Sequence, residues 1–268
     1  MNYVIDHDYH IHSFLSSCSR DEEQTAGRIL SYAVSNGFSS ICLTDHFWDE
    51  NVPGASHWYE KQNYPHIKES LPLPQADGVR FLFGCETEID KYGTVGISDR
   101  TAEELDFIIV PTTHLHMDGF TIDEEIGFDD EGLKRRADAF VSRFDRFLSL
   151  SLPYNKVGLA HITCPLIARD GADGWLRVIE MIPTETLREL FTRLASKGCG
   201  LELNFDSFES PDLLGRELNV YRLALECGNK VYFGSDAHHP DELDSAKANF
   251  ENIAALLDLK EEQKFRIG

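Results

Sequence analysis

Short apolar runs of strand length alternate along the chain with longer segments whose apolar positions recur every three or four residues. YVIDH (3–7) leads into DYHIHS (8–13). FSSICLTDH (38–46), VRFLFGCE (79–86), LDFIIVPTTH (105–114), KVGLAH (156–161), CGLELN (199–204) and KVYFGSDAH (230–238) follow, giving seven predicted strands. Between most of them lie amphipathic stretches such as QTAGRILSYAVSNG, EGLKRRADAFVSRFDRFL, TETLRELFTRLASKG and GRELNVYRLALECG. Several end in Gly, the usual helix stop. Strands alternating with helices predict a parallel sheet, and seven such units favour a closed barrel over an open sheet. The expected fold is α/β, a seven-stranded (β/α)7 barrel of the TIM-barrel type, spanning residues 1–268 as one domain.

One segment breaks the rhythm. Residues 47–78 are long, polar and rich in Pro and aromatics. A loop of that length in a compact domain is usually functional or disordered. Trp48, Trp58, Tyr59 and Tyr64 argue for order, so the insertion is expected to form a lid or pocket wall.

Polar residues cluster where the strands end. His10 and His12 follow the first strand and, two residues apart, share one side of an extended chain. Asp45 and His46 end the second, and Glu86 ends the third. His114 ends the fourth, with His116 two residues on, and His161 ends the fifth. Asp236 and His238 end the seventh. A single strand-end histidine is more often structural than a ligand. Here six of the eleven histidines and three carboxylates fall at such ends. In a parallel barrel those ends converge on one face, where active sites lie. Gathering so many ionisable groups without a cation is costly, so the pattern points to bound metal. Nitrogen and carboxylate donors suit Zn, Mn or Fe better than Ca or Mg.

Composition narrows the function classes. With 42% hydrophobic and 26% charged residues the chain reads as globular. No apolar run is long enough to span a bilayer, and the N-terminus shows no secretory pattern, so a cytoplasmic protein with no membrane partner is expected. None of the six cysteines forms a C-x-x-C pair, which suits free thiols in a reducing compartment. The net charge of −21 disfavours nucleic acid as a partner. Nothing in the sequence indicates an oligomeric state.

DYHIHS, LTDH, GCETE, the strand-end His114 and His161, and GSDAH together resemble the PHP family, named for polymerase and histidinol phosphatase. The resemblance runs over essentially the whole chain and is closest to the histidinol-phosphatase type. It implies a distorted seven-stranded barrel, two or three divalent metal ions (Zn, Mn or Fe) and hydrolysis of phosphoesters. By that resemblance His10, His12, Glu86 and Asp236 would form one metal site. Glu86 would bridge to a second ion held by His114 and His161, and His46 and His238 would hold a third. Asp45 would either orient a histidine or act as an outer ligand. His57, His66 and His239 are left as surface or lid residues, and His7 has no assigned role.

Two departures stand out. The family usually has His or Asp six positions after His12, where this chain has Cys18, either a thiolate ligand or a lost one. CGLELNFDSFE (199–209) resembles a histidinol-phosphatase segment that closes on a phosphate-gripping Arg, but the aligned residue is Glu209, which would repel phosphate. Arg169 could substitute. The expected activity is hydrolysis of a small phosphomonoester by a metal-bridged hydroxide, with Asp206, His116 or a metal-bound water as leaving-group acid. L-histidinol phosphate, an intermediate of histidine biosynthesis, is the first candidate substrate. A phosphatase of another small metabolite or nucleotide, or a non-catalytic metal-binding relative, is the alternative.

Overall fold

The computed structural model describes residues 1–170, 173–205 and 210–268. Among the described residues, eight strands form one parallel sheet: β1 (His7–Ile11), β2 (Ser40–Leu43), β3 (His46–Phe47), β4 (Arg80–Thr87), β5 (Phe107–Pro111), β6 (Val157–Ala160), β7 (Gly200–Leu203) and β8 (Lys230–Phe233). The hydrogen-bonded path runs β1-β2-β4-β5-β6-β7-β8, and β3 is a short side branch on β4. Seven parallel strands therefore make a nearly closed α/β barrel, as the alternation predicts. The helices are α1 (Ala26–Asn36), α2 (Tyr64–Ile67), α3 (Asp99–Glu104), α4 (Asp130–Ser149), α5 (Gly174–Glu180), α6 (Thr184–Lys197), α7 (Pro211–Glu226) and α8 (Pro240–Leu256).

Local chemistry explains the helices that matter most. In α1 the Thr25 side chain accepts from Arg28 N, and Gly37 closes the helix at φ 67°, a left-handed conformation natural to glycine. In α4 Asp129 caps Gly132 N, and the buried face runs Leu133, Arg136, Ala137, Phe140, Arg143, Phe144 and Phe147. That is a helical stripe carrying two arginines among apolar residues.

Strand alternation divides the core in two. Ile108, Val110, Ile41, Leu43, Val231 and Phe233 join the large layer between sheet and helices. Their neighbours Phe107, Ile109, Cys42 and Tyr232 point into the barrel with Leu82, Ala160 and Phe265. The interior is too narrow for large residues on every strand. A Cβ on Gly158 would lie 2.3 Å from the Tyr232 hydroxyl.

Two strand boundaries differ from expectation. The first strand begins at His7, not at residue 3, because the leading residues pair with the C-terminal segment: Tyr3 N donates to Leu259 O (3.2 Å). The run 38–46 splits into β2 and β3. Between them the Asp45 carboxylate accepts from Ser13 N (2.7 Å), Ser13 Oγ (2.7 Å) and Ser16 Oγ (2.8 Å), which turns the chain toward β1.

The barrel closes at its carboxyl rim. Asp236 N donates to His10 O (2.7 Å) and His12 N to Ala237 O (3.0 Å). Below them side chains complete the seam. Ser235 N donates to Asp8 Oδ1 (3.0 Å) and Phe233 N to His7 Nε2 (3.1 Å). The first and last strands are thereby joined beside the candidate site. No helix among the described residues is long and apolar enough to cross a membrane.

Candidate metal centre

All eight residues singled out as ligands come together at this rim, in three overlapping groups. His10, His12, Glu86 and Asp236 form one, Glu86, His114 and His161 a second, and His12, His46 and His238 a third. Within each group one donor atom per residue lies within 4.8 Å of every other. Period-two placement on β1 and just beyond it aims His10 and His12 the same way. Glu86 sits near the end of β4, His46 opens the short β3 beside it, and His114, His161, Asp236 and His238 occupy the segments that follow strands.

The hydrogen bonds fix which ring nitrogens face inward. The Ser16 hydroxyl donates its one proton to Asp45, so at 2.9 Å it accepts from His12 Nδ1. His10 Nδ1 donates to Glu202 Oε1 (2.7 Å), while Glu202 Oε2 accepts from His161 N (2.7 Å). His10 and His12 are therefore left with Nε2 facing the centre, and these two nitrogens lie 3.0 Å apart. Asp45 thus orients a histidine through Ser16. His114 Nδ1 donates to Glu88 Oε2 (2.7 Å), and Arg143 holds the other oxygen of Glu88. His161 Nδ1 pairs with Thr113 Oγ1 (2.9 Å), leaving Nε2 3.3 Å from Glu86 Oε1. Gly234 makes room for this packing, since a Cβ there would lie 1.9 Å from Glu202 Oε1.

Glu88 and Glu202 escaped the sequence reading as functional residues. The available signal was periodicity. Glu88 shares a strand face with Glu86, and Glu202 is a buried acid inside the apolar strand GLEL. A buried carboxylate needs a partner, but neither partner is a sequence neighbour.

Opposing charges act strongly at this rim. Burial opposes charge on His10, but Glu202, Asp236 and Glu86 outweigh it and hold its pKa well above the ordinary range. His46 shifts the same way, with Glu86 and Cys18 outweighing burial. Burial, reinforced by His238 and His46, pushes His12 well below its ordinary range. Burial would raise Glu86, yet His46 and His10 hold it well below the usual carboxylate range.

A cavity of about 410 Å³ opens onto these groups. Trp58 and Tyr59, from the 47–78 segment, line it with Met117, Leu166, His116 and Arg169. The Trp58 and His46 rings meet edge to face at 4.9 Å. Cys18 lies exposed at the same wall, where desolvation would raise its thiol but His238 and His46 bring it down to about 7. Burial, with His114 and Arg169 acting in the same direction, pushes His116 down to about 3, so its ring is neutral and poorly suited to act as an acid. His57 is exposed beside Glu60, His66 donates to Leu15 O (2.9 Å), and His239 caps α8. Asp206 and Glu209 lie outside the described residues.

The donor set fits divalent cations. His46 Nδ1 and Asp236 Oδ1 are buried without a hydrogen-bond partner, although Asp236 Oδ1 lies 2.9 Å from His12 Nε2. Inward ring nitrogens and carboxylate oxygens crowd together within reach of one another, as donors to a shared cation would. His161 and Asp236 also have φ of 21° and 54°. For residues other than glycine this is uncommon and concentrates at functional sites.

A parallel barrel with a rim of histidines and carboxylates in overlapping donor sets is a metal-site α/β barrel. The family model described as PHP domain matches residues 8–205, and the chain belongs to that family. A curated protein of Syntrophotalea carbinolica, named as a probable phosphatase, is 31% identical over 102 residues, covering 38% of each chain. The match thus spans well under half of that relative. Among solved structures, histidinol phosphate phosphatase from Lactococcus lactis, determined with zinc, L-histidinol and phosphate, superposes with a TM-score of 0.64 at 20% identity. That match covers 97% of this chain and 98% of the other, and shows a shared fold.

Proposed function

We propose that this chain is a metal-dependent phosphomonoesterase acting on a small phosphorylated metabolite. The observation that carries the reading is the approach of His10 Nε2 to His12 Nε2 at 3.0 Å, with the outer nitrogen of each ring already engaged. Two inward lone pairs that close repel each other unless a proton or a metal cation sits between them, and the neighbouring carboxylates favour the cation. Membership of the PHP family and the relative named as a probable phosphatase favour phosphate esters over other substrates.

In this reading His10, His12, Glu86 and Asp236 hold one ion, and Glu86 with His114 and His161 holds a second. His46 and His238 hold a third. His12 has a single inward nitrogen, so it serves the first group. When bound, divalent ions would supply an activated water and neutralise charge on the phosphate. Glu86, shared by two groups, keeps their ions adjacent. Glu202 and Ser16 keep the His10 and His12 lone pairs inward. Arg169 is placed on the cavity wall to meet a phosphate oxygen or another anionic group of the substrate. Trp58 and Tyr59 form the wall against which the leaving group packs, and they limit the entry of water.

L-histidinol phosphate is the first substrate to test, supported by the shared fold with the Lactococcus lactis enzyme. The decisive experiment measures metal content and then turnover of p-nitrophenyl phosphate and L-histidinol phosphate with added Zn or Mn. Turnover of either ester that is lost on chelation and regained with metal supports the reading. Bound metal with no turnover across a panel of phosphate esters would instead identify a binding protein.

A further inference from the structure

Helix α4 packs outside the barrel, yet Arg143 reaches from it to the rim. Its Nη2 donates to Glu88 Oε1 (2.6 Å), and Glu88 Oε2 accepts from His114 Nδ1 (2.7 Å). The rest of the guanidinium is anchored by backbone carbonyls: Nη1 donates to Ile89 O (2.8 Å) and Thr121 O (3.2 Å), and Nε to Thr112 O (3.2 Å). These carbonyls lie on the segments leaving β4 and β5, so the fork cannot swing without breaking several bonds. Arg143, Glu88 and His114 are all buried. The other groups use other anchors, His10 a carboxylate and His12 a serine hydroxyl.

We propose that Arg143 is a positioning residue which, through Glu88, selects the His114 tautomer and so governs ion binding at the Glu86–His114–His161 group without governing the other groups. This rests on the metal reading given above. Arg143 can only donate. Glu88 therefore accepts on both oxygens, His114 Nδ1 carries the proton, and Nε2 is free to ligate. A glutamine at position 88 cannot reproduce this arrangement. With its amide NH2 toward Arg143, two donors meet. With the NH2 toward His114, Nδ1 must accept, and the proton moves to Nε2 and blocks ligation.

The test is cadmium-113 NMR of the full chain titrated with Cd²⁺, with the second-group resonance identified as the one lost in H114N. In E88Q the affinity for that resonance should fall about 10- to 100-fold, as for other substitutions behind a ligand, with the remaining resonances unchanged. E88Q strands a buried guanidinium and can fail to fold. The double variant E88M/R143M removes both charges together, and with them the acceptor for His114 Nδ1; it should fold, while showing the same selective loss. Wild-type affinity at that resonance in folded E88M/R143M would overturn the proposal, as would an equal loss at every site. A wild-type chain that gives no bound cadmium resonance would overturn the metal reading itself.

Discussion

His7 and His10 lie three residues apart on the same strand, one at each end of the barrel, and both are buried. At the amino end His7 is satisfied on both sides. Its Nδ1 donates to Asp6 Oδ1 (2.9 Å), and its Nε2 accepts from Phe233 N (3.1 Å). At the carboxyl rim Glu202 holds one nitrogen of His10, and the second faces another imidazole and the Asp236 carboxylate. A buried histidine is therefore no sign of chemistry by itself. The sign is a ring whose remaining lone pair is held toward other lone pairs by a partner behind it. The amino end is built to hold a seam shut, and the rim is built to need something added.

The largest test of this contrast is at Glu86, which belongs only to the rim. E86A should lower metal content, read by elemental analysis, and reduce phosphatase turnover by more than about 100-fold, beyond the range for residues behind a ligand. Full activity in that variant would remove the shared-ligand role. Next, H7L and H10N should separate. H7L strands the Phe233 N–H and should cost about 1–3 kcal/mol of stability in denaturant titration, with metal content unchanged. H10N should lose ion binding, and without metal it should forfeit the stability that protonated His10 contributes. The reverse outcome would invert the comparison.

A subtler difference is in protons. His10 and His46 have pKa values raised above their unfolded range in the metal-free protein. Their contribution to metal-free stability is complete below about pH 6.5 and is lost as pH rises through the raised values. Ion binding must displace those protons and so strengthens as pH rises. Calorimetry near neutral pH in buffers of different ionisation heat should show net proton release when metal binds. The smallest effect belongs to the amino end. Burial would raise Asp6, but His7 and Lys264 bring it down to about 2. That contribution is present above the ordinary carboxylate range and fades as pH falls toward 2. D6N should flatten the acid side of the thermal-stability profile.

Much of the architecture was legible because two periodicities report it directly. Apolar runs gave the seven barrel strands, and the polar residues at their ends marked the rim. The boundary errors have physical causes. Residues 3–6 look like strand, but part of that stretch pairs with the C-terminal segment. TDH looks like the end of one strand, but Asp45 breaks the ladder by bonding Ser13 and Ser16. The residues behind the ligands were illegible for a different reason. Glu202 meets His10 across 192 positions, and Glu88 meets Arg143 across 55. No local pattern encodes such pairs. Arg143 in particular reads as one more charge on an amphipathic helix until its buried face is seen.

The rim seam joins residues 10–12 to residues 236–237, so segments far apart in the sequence complete the site together. A nascent polypeptide carrying Glu86, His114 and His161 still lacks Asp236 and His238. It cannot present the full donor set until β8 has emerged and docked against β1. Competence for ion binding would then arrive in a single docking step, and any product that stops before β8 should be inert.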